Sequence, residues 1–240
     1  MLRTASKKTS ARINRKALSC FLTSIMLLMI LPVFAGDKEK DEDTLREANL
    51  VLQGFLNSKD ISPDLLSKAD CVLILPNVKK FGIGIGGSGG RGPLLCRGGQ
   101  NFEGQWSTPA MYSVGGMSGG LQIGGSSTDF VLLLMTPKVV TQILNGKTKM
   151  GTDATAAAGP GATAASASDA DILTYGKAEG LFAGVSIGGA TVESDNDANH
   201  RLYGKTLTAT DIVRGTSVAP TTEGKALVTV LNSKIAKHSN

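Results

Sequence analysis

The segment Trp106–Met135 constrains the fold of this chain more than any other part of the sequence. Glycine and serine recur in it so densely that few side chains project from the backbone, and it then passes directly into a run of apolar residues. Interior glycine weakens a strand, so glycines on this scale mark bends, bulges or the close approach of another backbone. The same texture recurs at Phe81–Gly90 and Gly180–Ala190. These segments predict one tightly packed, glycine-rich β-structure, which is not the texture of a typical enzyme pocket.

The first 35 residues have the layout of a secretory signal peptide. Six lysines and arginines and no acids precede Gly36, the run Ala17–Val33 is apolar, and Val33-Phe34-Ala35 offers a cleavage site. We therefore expect export to the periplasm or the extracellular space, where the protein is either soluble or peripheral to a membrane. The alternative is an uncleaved membrane anchor, although the apolar run is slightly short for a span of ~20 residues.

Removing this leader changes the charge of the protein. The full chain has 25 Lys+Arg and 20 Asp+Glu, whereas the part from Gly36 onward has 19 bases and 20 acids. A basic footprint is the first requirement for binding nucleic acid, so we expect no nucleic-acid partner. The remaining 205 residues suffice for one domain with a real core. Cys71 and Cys96 either pair in an oxidising compartment or stay as two buried thiols.

Capping residues and apolar periodicity predict several helices. They are an amphipathic helix at Thr44–Leu56, a short turn from Ser62-Pro63-Asp64 to Ala69, a helix capped by Thr136-Pro137, a short helix near Asp211–Arg214, and a last helix at Glu223–Ile235.

Apolar runs and glycine turns predict the strands. They are a buried strand at Cys71–Leu75 that stops at Pro76, short strands and turns from Phe81 to Gln122, a buried strand at Asp129–Met135, and strands at Ile172–Tyr175 and Leu181–Glu193. We expect Asp37–Asp43 to be a loose charged leader (36–43) and the low-complexity stretch Asp153–Asp171 to be a surface loop.

Strands and helices do not alternate as βαβ units in this pattern. The predicted class is α+β, with a compact, mainly antiparallel, barrel-like core and flanking amphipathic helices. The expected organisation is a signal peptide (1–35), the charged leader, and a single domain from 44 to 240.

Several short motifs match patterns of catalytic or cofactor-binding sites, but the neighbouring residues that such sites require are missing. The glycines at 84, 86 and 89 match a dinucleotide fingerprint, but no helix follows them. Three Gly-x-Ser-x-Gly matches lack an upstream histidine as base. Asp195, Asp197 and Asn199 begin a calcium-loop pattern that lacks its glycine and its bidentate glutamate, so we predict a polar turn between strands there. We expect no enzyme, no cofactor and no metal site.

The ordered glycine-rich pieces resemble the SYLF domain. The matching pieces are Ala69–Pro76, Phe81–Gly90, Trp106–Pro109, Gly120–Phe130, Gly180–Ser186, Asn199 and Tyr203-Gly204, which appear in family order from about Leu45 to the C-terminus. The resemblance implies a non-enzymatic lipid-binding domain, which binds phosphoinositides in eukaryotic members, some of which also bind actin. The alternative is a structural or protein-interaction module of the cell envelope, with a protein partner and no lipid ligand.

The resemblance also directs attention to a membrane-facing helix and to basic residues. Membrane-helix candidates are Leu45, Leu52, Phe55 and Leu56. Headgroup candidates are Lys79, Lys80, Arg91 and Arg97, for which solvated loop charges are the alternative. The stretch Asp37–Asn57 departs from the family because its six acids and three bases disfavour anionic headgroups. Trp106 is either an interfacial residue or a core residue.

Overall fold

The computed structural model describes most of the chain from Leu31 onward. The described residues are 31–99, 101–150, 156–158, 170–179 and 189–234, with the backbone alone for 31–35, 82–85, 117–124, 156–158 and 178–179. Met1–Asp37 separates as one unit and Lys38–Asn240 as another. Every buried residue of the described core lies between Asp41 and Leu231, so a protein that begins at Gly36 retains this core. Most of the apolar run Ala17–Val33 lies outside the described residues.

Six helices and six strands are present in the described residues. The helices are α1 (Leu31–Asn57), α2 (Pro63–Lys68), α3 (Pro137–Asn145), α4 (Asn196–Tyr203), α5 (Ala209–Arg214) and α6 (Thr222–Lys234). The strands are β1 (Cys71–Cys96), β2 (Ala110–Leu134), β3 (Thr148–Lys149), β4 (Ala156–Ala158), β5 (Ile172–Glu179) and β6 (Thr191–Ser194).

All six strands belong to one sheet organised around β2. The strand order is β3-β6-β2-β5-β4, and β1 pairs with β2 along its length. These pairings are antiparallel except for β4 with β5, which is parallel. The predicted α+β class with a mainly antiparallel sheet is therefore confirmed.

Strand β1 curls until its two ends meet. Cys71 and Cys96, its first and last residues, form a disulfide with their Cα atoms 4.0 Å apart. The backbone N–H of Arg97 also donates to the carbonyl of Asp70 at 2.9 Å. Gly92 lies against the first half of the same strand, because a Cβ atom there would sit 1.8 Å from the carbonyl oxygen of Ile74. Glycine is thus required where one half of β1 crosses the other.

Each face of the sheet packs against its own helices. Alternate β1 residues Cys71, Leu73 and Leu75 pack with α3 and α5 in one cluster. Val72 and Ile74 pack with α1, α2 and α6 in another. We call these the α3 face and the α1 face. This alternation follows from the two-residue period of a strand.

The predicted helix starts and ends are largely confirmed. The Ser62 hydroxyl accepts from the Leu65 N–H at the start of α2, and Thr136 caps α3 in the same way. Helix α5 ends at Gly215, and α6 buries Leu227 and Leu231. Ile235, which was expected in the last helix, lies outside the described residues.

Four expectations about local structure were wrong. The segment Phe81–Gln122 does not consist of short strands, since β1 and β2 run through it as two long strands. Strand β1 does not stop at Pro76, because a bulge accommodates the proline. Asp37–Asp43 is helical, and the predicted polar turn at Asp195–Asn199 is the start of α4, where the Asp195 carboxylate accepts from the Ala198 N–H.

The low-complexity stretch and the late strands are described only in part. Ala156–Ala158 forms β4, whereas the rest of the predicted 153–171 loop up to residue 169 lies outside the described residues. Residues 181–188 of the predicted strand Leu181–Glu193 lie outside them as well, and β6 covers its end.

Candidate lipid-binding site

A bulge in β1 determines which side chains face α1. The pairing of β1 with β2 shifts between Leu75 and Val78, and Asn77 there has φ 54°. Asparagine tolerates this left-handed conformation better than most residues. The Asp129 carboxylate accepts from the backbone N–H of Asn77 at 2.8 Å, and the Ser127 hydroxyl donates to the Asn77 side chain. Two β2 side chains therefore hold the bulge.

The bulge changes the phase of the strand. Before it the even-numbered residues Val72 and Ile74 face α1, whereas after it Val78 belongs to the α3 face. The odd-numbered residues Lys79 and Phe81 therefore face α1, because side chains alternate along a strand.

Phe81 is one of the two large apolar side chains that are exposed in the described part of the chain, at 68%. Its cross-strand partner is Gly125, which has no side chain to cover it. Its ring lies over Gly87, where a Cβ atom would come within 3.0 Å of the ring. The ring therefore contacts glycines, which have no side chains that could cover it, and it stays open to solvent.

A cleft of about 280 Å³ lies between α1 and the bulge. Its lining residues are Glu47, Leu50, Val51, Pro76, Asn77, Ser127 and Asp129. Leu50 is the second exposed large apolar residue, at 64%. The cleft thus joins two carboxylates to an exposed aliphatic side chain.

The structure separates the two lysines that were predicted to act together. Lys79 is exposed on the α1 face, whereas Lys80 is partly buried on the opposite face. The Lys80 ammonium lies 5.8 Å from the centre of the Phe130 ring. Burial lowers the pKa of Lys80. Lys79 and Lys80 therefore do not form one basic patch, and their role in lipid binding stays a prediction.

Arg91 takes part in an ion-pair cluster inside the domain. Its guanidinium contacts Asp41, which is fully buried, and Asp195 at 3.7 Å. The Arg201 guanidinium pairs with the same Asp41 at 2.6 Å. These contacts tie α1 to β1 and α4. The structure thus gives Arg91 an internal role, and its predicted contact with headgroups is untested.

Arg97 holds the loop between β1 and β2. Its guanidinium donates to the carbonyls of Ser67 at 2.5 Å, Glu103 at 2.9 Å and Gly104 at 3.2 Å. Its donors are directed to main-chain oxygens, so the arrangement stabilises the loop. A headgroup role for Arg97 also stays a prediction.

The apolar face of α1 packs on the protein. Leu52 and Phe55 are buried on the α1 face, and Leu56 packs beside them. Leu45 is buried against Met111, Ala198 and Leu202. Insertion of these four predicted residues into a membrane would require α1 to leave the sheet. Leu50, which sequence periodicity places off this face, is the exposed one.

Residues that carried the family resemblance have structural roles. Trp106 is 4% exposed and lies in the core, as one of its two interpretations held. Asn199 is buried, and its side-chain amide bonds both the N–H and the carbonyl of Met111. The Tyr203 hydroxyl donates to the Pro109 carbonyl, and burial raises the pKa of Tyr203. These contacts join α4 to the start of β2.

Sequence reasoning identified Lys79 but missed Phe81, Leu50 and the cleft. Phe81 follows the two lysines in the sequence, and its position among glycines was the available signal. The bulge that exposes it was not predicted. In the part of the chain that the structure covers, no three metal-ligating side chains meet. No helix within those same ranges has the length and apolar character needed to cross a bilayer.

Residues 115–234 match the family described as "Ysc84: Las17-binding protein actin regulator". A Schizosaccharomyces pombe relative, SH3 domain-containing protein PJ696.02, is 33% identical over 79% of this chain and 46% of its own length. LAS seventeen-binding protein 3 of Saccharomyces cerevisiae is 31% identical over 76% of this chain and 40% of its own. The human SH3 domain-containing YSC84-like protein 1 is 30% identical over 85% and 60%.

The chain spans about half the length of these curated relatives. No solved structure matches it significantly. The match covers most of β2 and every described element from α3 to α6, and the relatives extend it toward the N-terminus. The chain therefore belongs to the Ysc84 family, whose domain is also called SYLF.

Proposed function

We propose that this protein is exported and binds membrane lipid through a surface formed by Lys79, Phe81 and Leu50, without catalysing a reaction. The observation that carries the proposal is the exposed Phe81 beside Lys79 on the α1 face. A lysine next to an exposed aromatic ring suits a membrane interface, where the apolar ring meets acyl chains and the cation stays at the headgroups. We call these three residues the contact surface.

The magnitudes favour weak, reversible attachment. Covering the exposed part of one phenylalanine and one leucine contributes roughly 2–4 kcal/mol, and one lysine near an anionic surface adds about 1 kcal/mol. A total near 4 kcal/mol corresponds to a dissociation constant of roughly 1 mM. Stable attachment would therefore need several copies or a specific headgroup contact.

The disulfide supports the export part of the proposal. Bonds of this kind persist in oxidising compartments and are rare in the cytosol. Cys71 and Cys96 are paired in the structure, and the sequence begins with the basic and apolar regions of a signal peptide.

A protein partner is the second candidate function. The family description names a Las17-binding protein and actin regulator, and one relative is named for binding LAS seventeen. An exposed aromatic residue also suits the core of a protein interface. In that case the contact surface would bind protein rather than lipid.

Flotation with liposomes tests the proposal. The protein from Gly36 onward is mixed with neutral or anionic vesicles at low and moderate salt. We expect it to float, and we expect Phe81→Ala and Lys79→Ala each to reduce the bound fraction several-fold. Lys138→Ala is the matched control, because Lys138 is exposed on α3, which covers the other face.

Two outcomes would reject lipid binding at this surface. If no vesicle carries the protein upward, the result favours binding to a protein partner. If flotation is unchanged in Phe81→Ala and Lys79→Ala, lipid contacts a different surface. Arg91→Ala distinguishes an internal role of that arginine from contact with headgroups. We expect this variant to have a lower melting temperature while its folded fraction still floats.

A further inference from the structure

We propose that the cleft between α1 and the bulge binds the headgroup of a zwitterionic phospholipid that carries a primary ammonium group. The ammonium would enter the cleft, and the phosphate would lie at Lys79. This inference rests on the proposed function, because it assigns a lipid class to the same surface.

Charges of opposite sign follow one another along the α1 face. Asp129 and Ser127 line the cleft from β2, and Lys79 is the direct cross-strand partner of Ser127. Side chains directly opposite each other have Cβ atoms about 5 Å apart. The Lys79 side chain therefore begins at the rim of the cleft. It lies one two-residue step, or about 7 Å, along the sheet from Asp129.

The cleft itself favours a cation. Glu47 on α1 and Asp129 on β2 contribute its two carboxylates. One oxygen of Asp129 accepts from the Asn77 N–H at 2.8 Å. An ionised carboxylate accepts up to about four hydrogen bonds, so Asp129 retains capacity for an ammonium N–H. A headgroup with negative charge alone would be repelled by this pair.

Apolar residues lie on both sides of the charged groups. Leu50 borders the cleft, and Phe81 lies two residues beyond Lys79 on the same face. The sequence of chemistry is therefore carboxylates, a lysine and an exposed aromatic ring. Phosphatidylethanolamine has a matching order of ammonium, phosphate and acyl chains.

A basic segment of a partner protein is the competing occupant. Its cations would pair with Glu47 and Asp129. They would then lie close to the positive charge of Lys79 at the rim, which would repel them. A ligand that carries both signs in one headgroup meets both requirements. The arrangement therefore favours the aminophospholipid.

The test compares vesicles of different headgroup composition. The protein from Gly36 onward is floated with pure phosphatidylcholine, with added phosphatidylethanolamine, and with added phosphatidylglycerol. We expect phosphatidylethanolamine to increase the bound fraction at least threefold over phosphatidylcholine, because a choline headgroup has no N–H to donate. We expect soluble O-phosphoethanolamine to compete.

Variants of the two carboxylates separate this inference from the proposed function. Glu47→Gln and Asp129→Asn should abolish the preference for phosphatidylethanolamine and leave Phe81-dependent flotation. Glu103→Gln is the control, since Glu103 is exposed in the loop between β1 and β2. If circular dichroism shows that Asp129→Asn disturbs the fold, Glu47→Gln alone tests whether the carboxylates cause the preference.

Three results would overturn the inference. The first is flotation that is indifferent to phosphatidylethanolamine, which leaves the proposed function intact. The second is a preference that Glu47→Gln and Asp129→Asn do not change. The third is competition by an oligolysine peptide but not by O-phosphoethanolamine, which identifies a basic protein segment as the occupant. If no vesicle binds, an NMR titration with O-phosphoethanolamine still tests the cleft, and unshifted resonances at Glu47 and Asp129 reject it.

Discussion

At the scale of single residues, Gly92 shows why β1 needs glycine at one point along its length. A Cβ atom at this position would lie 1.8 Å from the Ile74 carbonyl oxygen and 2.9 Å from its carbon. Backbone atoms cannot move aside as the end of a flexible side chain can. The glycine is therefore required for packing between two halves of one strand.

Gly92→Ala should lower the free energy of unfolding by about 3 kcal/mol or more, because overpacking against backbone forces the strand to shift. Gly54→Ala is the matched control. Position 54 lies in α1 with nothing within 4 Å of a new Cβ atom, so alanine should stabilise the helix by roughly 0.5–1 kcal/mol. Denaturant titration measures both. Equal stability of the two variants would contradict the crossing at Gly92.

Asp70 couples stability to pH. Burial raises its pKa to about 6 from 3.8, although Arg214 and Arg97 oppose the rise. The folded state then binds the proton more tightly than the unfolded state, so the free energy of unfolding should fall as pH rises from about 4 to 6. Below this window the carboxyl is protonated in both states.

Asp70→Asn removes this titration. We expect its stability relative to the original protein to increase between pH 4 and pH 6 and then to level off. Melting temperatures of the two proteins at each pH give the difference, in which the other titrating groups cancel. A difference that is constant with pH would show that Asp70 titrates normally.

At the scale of elements, the disulfide closes β1 on itself. The bond links residues 25 apart in sequence, and both cysteines are fully buried. By the chain-entropy account, a closed loop of this size stabilises the fold by about 3.5 kcal/mol. The bond therefore holds together the two ends of the curl that brings Gly92 against Ile74.

Replacing Cys71 and Cys96 with alanine should lower the free energy of unfolding by roughly 3 kcal/mol or more, because small cavities add to the lost constraint. Denaturant midpoints compare this variant with the oxidised protein. The oxidised protein treated with reductant should approach the variant, whereas the variant itself should not respond to reductant. An unchanged midpoint on reduction would mean that the bond contributes little to closure.

At the scale of the whole molecule, the sequence predicted elements well where local chemistry determines them. Thr136-Pro137 and Ser62-Pro63 specify helix starts through hydrogen bonds within one turn, and both were found. The resemblance to the SYLF domain was confirmed, as was the α+β class. Both rest on patterns that extend over most of the chain.

Long-range contacts explain what the sequence did not predict. The bulge at Asn77 depends on Asp129, which is 52 residues away, and it decides that Lys79 and Lys80 face opposite sides. Arg91 looked like a solvated or headgroup-binding charge, but its partner Asp41 is 50 residues away. The capping of α4 by Asp195 was a local signal that the calcium-loop comparison obscured.

The closure of β1 also has a mechanical consequence. If the two ends of the domain are pulled apart, tension passes from Cys71 to Cys96 through the disulfide, and the residues between them carry none of it. The sequence separation of 25 residues would otherwise contribute roughly 85 Å of extension. The oxidised domain should thus stretch less before it is fully extended, and the Lys79–Phe81 segment lies inside the shielded loop.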